Sequence, residues 1–142
     1  MADTIFKKIL DGQIPCHKVY EDEQVFAFLD VQPLSYGHLL VIPKEPAPTL
    51  DQLSDEAAAA LGRVLPRLCR AVMKATSTND YNVLQNNGVE AHQAVLHVHF
   101  HIIPKPNSID GLGISWPAKA LDNSKGKLLA AEIKAAIAES TH

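Results

Sequence analysis

The sequence predicts a single α+β domain built on an antiparallel sheet of about five strands. This class is predicted by short apolar runs bounded by turn residues, by one long amphipathic stretch with the period of a helix, and by a second helical stretch near the C-terminal end. The chain has 142 residues, of which 46% are hydrophobic and 20% are charged. This length and composition are sufficient to bury a core.

The N-terminal part supplies a short helix and the first three strands. Residues 4–10 are predicted as a helix because their apolar side chains share one face. Residues 17–21 and 24–30 are predicted as the strands of a hairpin, and residues 38–43 as a buried strand that ends at a proline. The proline-rich residues 43–48 form the connector that follows.

A long helix and a fourth strand come next. The helix should begin near Ser54, which can cap it, and its apolar residues recur at the helical period. These core-facing residues are Leu61, Val64, Leu65, Leu68 and Val72. Residues 81–85 are predicted as a strand that runs into an Asn-Asn-Gly turn.

The C-terminal part combines an irregular segment with a final helix. Residues 104–121 are rich in proline and glycine and contain the only tryptophan, Trp116. A helix is predicted from about Ser124 to Glu139, with four aliphatic side chains facing inward. These side chains are Leu128, Leu129, Ile133 and Ile137.

Charge and cysteine content exclude several classes of partner. The formal net charge is −3, and without a Lys/Arg-rich run the chain is not expected to bind nucleic acid, although one or two phosphates of a small ligand are compatible with it. Cys16 and Cys69 stand alone, which favours a reducing compartment. No signal peptide or membrane span is recognisable, so we expect a cytoplasmic protein without membrane partners, present also in the nucleus.

Residues 97–103, His-Val-His-Phe-His-Ile-Ile, place three histidines at every second position. Strict alternation is the period of a half-buried strand, so His97, His99 and His101 should share one face of the sheet. The apolar residues between them should share the other face. A row of buried imidazoles is costly unless that face has a polar task.

The histidine row admits three interpretations. In a metal site, His97 and His101 would lie roughly 13 Å apart at ~3.3 Å per residue, too far to share one ion, although two histidines and another ligand could. In a catalytic site, a neutral imidazole attacks phosphorus, and the neighbouring imidazoles keep the central His99 neutral. In a structural role, the histidines are hydrogen-bonded within the core.

The histidine row has the His-φ-His-φ-His-φ-φ form, with φ apolar, of the histidine triad (HIT) family, which the chain resembles. Residues 3–9, 28–33 and 37–44 resemble further blocks of that family in the same order, so the resemblance covers residues 3–104. It implies the HIT-like fold, one HIT domain over residues 1–142 with residues 105–142 as a C-terminal extension, and a homodimer. Within the family the chain looks most like the Hint-type nucleoside phosphoramidases.

The resemblance assigns roles to four histidines and one carboxylate. His99 matches the nucleophile that becomes nucleotidylylated, and His101 and His38 match residues that surround the phosphate. His97 matches a residue that orients the nucleophile, partly through its backbone carbonyl. Asp30 matches the residue that accepts hydrogen bonds from the ribose hydroxyls.

Further positions match the nucleotide pocket. Apolar residues resemble the walls around the purine, and plain core packing is the competing interpretation for each of them: Ile5, Phe6, Ile9, Phe28 and Val31. A second set resembles the contacts on the phosphate side: Asn86, His92, Gln93 and Ala94.

The chain also departs from the family pattern. Many relatives bind a structural zinc through two N-terminal cysteines and a histidine after the Pro-Lys pair, but this chain has Thr4, Lys7 and Glu45 in those places. We therefore expect neither a metal nor another cofactor. Ala94 stands where relatives often have Ser or Thr, and His92 stands where they often have Gly. These two departures leave the substrate preference open.

The predicted function is hydrolysis of the P–N bond of adenosine 5′-monophosphoramidates, or other purine ones, through a covalent nucleotidyl-histidine. A dinucleoside polyphosphate hydrolase is the nearest alternative. A nucleotide-binding regulatory or scaffold protein with vestigial catalysis is another. Trp116 is compatible with a dimer interface, with the partner's site, or with a local core.

Overall fold

The computed structural model describes residues 3–140 and contains a five-stranded antiparallel sheet in the order β1-β2-β3-β5-β4. The strands are β1 (Lys18–Glu21), β2 (Val25–Leu29), β3 (Leu39–Pro43), β4 (Tyr81–Gln85) and β5 (Phe100–Pro104). The helices are α1 (Ile5–Leu10), α2 (Asp55–Thr76) and α3 (Asn123–Ser140). The predicted fold class is confirmed.

One face of the sheet packs against α1. The helix is capped by Thr4, whose hydroxyl oxygen accepts a hydrogen bond of 3.1 Å from the Lys7 N–H. Its buried side chains, Phe6 and Ile9, contact the side chains that β2 and β3 direct to this face. Those strand residues are Phe26, Phe28, Leu40 and Ile42.

The other face of the sheet packs against α2. Ser54 caps this helix as predicted, because its hydroxyl oxygen accepts a hydrogen bond of 3.1 Å from the Ala57 N–H. Four of the five predicted core residues are buried, and the fifth, Leu65, is partly buried. They cover the sheet residues Val25, Ala27, Leu39, Val41 and Ile102. The sheet thus separates two apolar cores.

The histidine strand is shorter than predicted. β5 begins at Phe100, and His97 to His99 lie before it without a ladder partner. The backbone N–H of Val98 donates instead to the carbonyl of Ala47 in the proline-rich connector, over 2.8 Å. Side-chain alternation alone could not distinguish a strand partner from a connector partner.

The C-terminal helix forms as predicted, but the prediction that its aliphatic side chains face inward was wrong. Leu128, Leu129, Ile133 and Ile137 are 52–67% exposed, and no residue of α3 is buried. Residues 113–122, before the helix, are exposed and belong to no helix or strand. We call residues 113–140 the C-terminal arm. Among the helices of residues 3–140, none combines the length and apolar character needed to cross a membrane.

Candidate active site

Four histidines gather on the α1 side of the sheet. The ring centroids of His99 and His101 lie 4.9 Å apart, and those of His38 and His101 lie 5.1 Å apart. His38 directly precedes β3, and the pairing of β3 with β5 brings it beside His101. The structure therefore brings together all four histidines that were predicted as catalytic.

His99 presents one nitrogen with a free lone pair. Its Nδ1 lies 2.8 Å from the carbonyl oxygen of His97. A carbonyl oxygen only accepts, so Nδ1 carries the proton and Nε2 carries the lone pair. Burial lowers the pKa of His99, opposed by this hydrogen bond and by Asp30, so the imidazole is neutral near pH 7.

His97 fixes the backbone that orients His99. Its ring is 2% exposed, and its Nε2–H donates to the carbonyl of Pro43 over 2.8 Å. Burial lowers the pKa of His97 below the usual histidine value, with the bond to Pro43 acting in the opposite direction. The His97 ring is thus tied to the end of β3, while its own carbonyl holds His99.

His38 and His101 form a directed hydrogen-bond chain. The backbone N–H of Leu34 donates to Nδ1 of His38 over 3.0 Å, so the His38 proton resides on Nε2. That Nε2–H donates to Nδ1 of His101 over 2.9 Å, and the proton of His101 must therefore reside on its Nε2. Burial, followed by the effects of His99 and His38, lowers the pKa of His101 to about 4.

Asp30 lies at the edge of this chain. Its Oδ1 accepts the backbone N–H of Gln32 over 2.8 Å, and its Oδ2 lies 3.6 Å from Nε2 of His38. The side chain is 20% exposed. One carboxylate oxygen is therefore used by the backbone, and the other faces the histidines from a position that solvent reaches.

Asp30, His38 and His101 also form a group whose ligand atoms all lie within 4.8 Å of one another, the spacing that a metal ion requires. The nitrogens of the two histidines are 2.9 Å apart and share a proton. Two nitrogens that bind one tetrahedral zinc, each at about 2.0–2.1 Å from the ion, lie farther apart than these two nitrogens do. The group fits a cation only after that proton is lost, and the geometry described is a hydrogen-bonded chain.

The predicted purine walls separate into two kinds. Phe6, Ile9 and Phe28 are buried in the α1 core, where the Phe6 ring stands edge-on to His99 with a centroid distance of 4.9 Å. Ile5 and Val31 are 50% and 78% exposed. Core packing accounts for the first kind, and only Ile5 and Val31 have free surface to offer a base.

The loop between β4 and the histidine row carries the predicted phosphate-side residues. Two of its residues have positive φ: Gly88 at 93° and His92 at 74°. His92 and Ala94 are exposed, and the amide of Asn86 lies 3.4 Å from the carbonyl of His92. Gln93 differs from the others because its side chain is buried and bonded to backbone groups.

Except for the His97 carbonyl, which the family resemblance implied, the sequence analysis missed the backbone groups of the site. The N–H of Leu34 and the carbonyls of Pro43 and His97 determine which imidazole nitrogens carry protons. Residue types do not reveal such groups, because every residue has a carbonyl. The only available signal was the proline-rich connector, since prolines keep a segment out of a helix or strand ladder.

The chain is similar to known proteins over most of its length. The family model described as HIT domain matches residues 11–108. The adenosine 5′-monophosphoramidase hnt1 of Schizosaccharomyces pombe is 52% identical over 133 residues, which are 94% of this chain and 97% of the relative.

Two solved structures are similar along nearly the whole chain. A hypothetical protein from Leishmania major superimposes with a TM-score of 0.90 at 47% identity, over 96% of this chain and 97% of that one. A histidine triad nucleotide-binding protein from Candida albicans superimposes with a TM-score of 0.89 at 40% identity, over 98% of this chain and 100% of that one.

Proposed function

Because the chain belongs to the HIT domain family, we propose that it hydrolyses the P–N bond of adenosine 5′-monophosphoramidates and other purine nucleoside phosphoramidates, releasing the nucleoside monophosphate and an amine. The observation that carries this proposal is the free lone pair on Nε2 of His99 beside the Nε2–H of His101. The name of the S. pombe relative supports the same activity.

The first step forms a covalent intermediate. Nε2 of His99 attacks phosphorus, a P–N bond to the imidazole forms, and the P–N bond to the amine breaks. The amine needs one proton to leave. Nδ1 of His38 takes one proton from solvent in place of the Leu34 hydrogen bond, which the bound phosphoryl anion favours because it stabilises a nearby positive charge. His101 then gives its Nε2 proton to the amine and receives the Nε2 proton of His38 on its Nδ1.

The second step releases the product. Water attacks phosphorus, the bond to Nε2 of His99 breaks, and the His38–His101 pair accepts the proton of the water. His99 returns to its neutral form with Nδ1–H on the His97 carbonyl. Because that hydrogen bond exists before substrate binds, the nucleophile needs no reorientation, which is a preorganised arrangement.

The nucleotide lies across the site in this proposal. The free oxygen of Asp30 accepts a hydrogen bond from the ribose, and the exposed side chains of Ile5 and Val31 contact the base. The loop with Asn86, His92 and Ala94 approaches the phosphate. The buried Phe6, Ile9 and Phe28 support this surface from below.

The decisive experiment compares His99→Ala with a matched control, His17→Ala, at an exposed histidine outside the site. Wild type and His17→Ala should turn over adenosine 5′-monophosphoramidate and form an adenylylated His99 in rapid quench and mass spectrometry. His99→Ala should lose at least about 10³-fold in kcat, as expected for removal of a nucleophile.

Equal turnover by His99→Ala and wild type would refute the proposed mechanism. Parallel assays on a diadenosine polyphosphate would decide between P–N and P–O–P cleavage. A trapped adduct or tight AMP binding without any turnover would favour the binding-protein alternative.

A homodimer belongs to this proposal, and the C-terminal arm supports it. Most of the stability of a helix in a protein comes from the packing of its apolar side chains, yet α3 has no buried residue within its own chain. The C. albicans structure superimposes on 98% of the chain, so the superposition includes the arm. A second copy that covers α3 and the 82% exposed Trp116 explains both facts.

The cysteines support the proposed compartment. Cys16 and Cys69 are free, and burial raises the pKa of both thiols above the usual cysteine value. Unpaired thiols of this kind are typical of reducing compartments, which supports the cytoplasm and the nucleus.

A further inference from the structure

We propose that Gln93 is a positioning residue, whose side-chain amide holds the loop of residues 88–95 at the correct distance from His99. The proposal rests on the proposed function, because that loop approaches the phosphate. It also changes the role predicted for Gln93, from a nucleotide contact to a support for the residues that make such contacts.

Both N–H donors of the Gln93 amide are already used, which leaves none for a direct phosphate contact. The residue is 7% exposed. Its Oε1 accepts the backbone N–H of Gly88 over 2.8 Å. Its Nε2 donates to the carbonyls of Pro48 over 2.7 Å and Val95 over 2.9 Å. Both amide protons are therefore used. The amide group joins Gly88 and Val95, at the two ends of the loop, to Pro48 in a separate segment.

The segment that receives Gln93 is the same one that holds the histidine row. Within the proline-rich connector, the Pro43 carbonyl accepts from the His97 ring and the Ala47 carbonyl accepts from the Val98 N–H, each over 2.8 Å. Residues 93 and 97 are thus anchored to one connector on either side of the short stretch 94–96. Any displacement of that stretch is transmitted to the two residues before His99.

The loop also needs support for its own conformation. His92 has φ of 74°, a left-handed conformation that is uncommon for a residue with a side chain. It persists where surrounding contacts over-determine it. Gln93 provides such contacts, since its backbone N–H donates to the Gly88 carbonyl over 3.1 Å while its side chain accepts from the Gly88 N–H.

A positioning role makes a prediction that a purely structural role does not. The loop faces the phosphate, whereas the ribose and the base lie toward Asp30 and Val31. Loss of the two Nε2 hydrogen bonds should therefore weaken the binding of a nucleotide and leave the binding of the nucleoside unchanged. A general loss of stability would affect both ligands equally.

The test is Gln93→Met, which keeps the approximate size and the net charge but removes both N–H donors and the acceptor oxygen. Calorimetry with AMP and adenosine should show about tenfold weaker AMP binding and unchanged adenosine binding, as expected for charge-assisted contacts that are lost or lengthened. On adenosine 5′-monophosphoramidate, kcat should fall about 10²-fold, the scale expected for a misplaced reacting group.

The matched control is Gln24→Met, the same chemical change on the exposed β1–β2 hairpin, and it should behave as wild type in every assay. If Gln93→Met does not fold, Gln93→Asn, which shortens the side chain by one methylene, takes its place. Wild-type AMP affinity and kcat in either folded variant, or equal losses of AMP and adenosine affinity, would overturn the proposal. The binding results decide about Gln93 even if the wild type fails to cleave the phosphoramidate.

Discussion

Three backbone groups, together with the hydrogen bond between His38 and His101, determine which nitrogen of each of the four imidazoles carries the proton. The carbonyls of His97 and Pro43 each require an N–H from a ring, and the N–H of Leu34 requires a lone pair. These constraints leave a lone pair on Nε2 of His99 and a proton on Nε2 of His101. Complementary chemistry at two neighbouring histidines follows from the backbone around them.

The buried histidines should make stability depend on pH. An unfolded histidine titrates near 6.5, whereas burial and the neighbouring histidines lower the pKa of His101 to about 4 in the folded protein. Between these values the unfolded state binds more protons than the folded state. The free energy of unfolding should therefore fall as pH decreases from about 6.5 toward 4.

Urea unfolding at pH 7, 6 and 5 measures this dependence. His101→Gln should reduce it, because one group with a lowered pKa is removed, while His17→Gln at an exposed position should retain it. Identical pH profiles for His101→Gln and wild type would show that His101 titrates alike in the folded and unfolded states.

At the scale of elements, the packing of α2 against the sheet stabilises the fold. Leu61 is 1% exposed and belongs to the core between α2 and the sheet. Leu61→Ala should lower the free energy of unfolding by about 2–5 kcal/mol, because it removes apolar contact and leaves a cavity.

The control for this prediction is Leu65→Ala, one turn later on the same helix, where the side chain is only partly buried. Denaturant titration should show a smaller loss for Leu65→Ala. Equal losses for the two variants would mean that burial on α2 does not determine stability.

Local patterns predicted most elements and most side chains of the site. Apolar runs located the strands and α2, and the family resemblance located four histidines that the structure brings together. The limits of β5 were wrong because the alternation of side chains does not identify the backbone partner of a segment. The same reason hid the hydrogen bonds of the connector, which residues distant in sequence supply.

At the scale of the whole molecule, the C-terminal arm is the part whose packing a single chain does not explain. The aliphatic side chains of α3 were predicted to pack against the core of the same chain, but that core does not cover them. Sequence periodicity shows that a face is apolar, and it does not show which molecule covers it.

The dimer proposal can be tested by reversing the character of that face. Wild type should sediment at twice the chain mass of 15.5 kDa, and Ile133→Glu should shift the protein toward the monomer mass because it buries a charge in the interface. Ala131→Glu, on the opposite side of the helix, should remain a dimer.

Sedimentation equilibrium over a range of concentrations measures both variants. If Ile133→Glu and Ala131→Glu have the same mass as wild type, α3 does not lie between two copies. If wild type itself sediments at 15.5 kDa, the homodimer is excluded.

The sheet is one layer thick and has a helix on each side. The site histidines lie on the α1 side, whereas the large core under α2 lies on the other. Substitutions at Leu61 and Val64, in the core under α2, should therefore change stability with little effect on the chemistry, whereas those in the core under α1 should change both. Heat resistance can be raised at the first set of positions without a change of substrate.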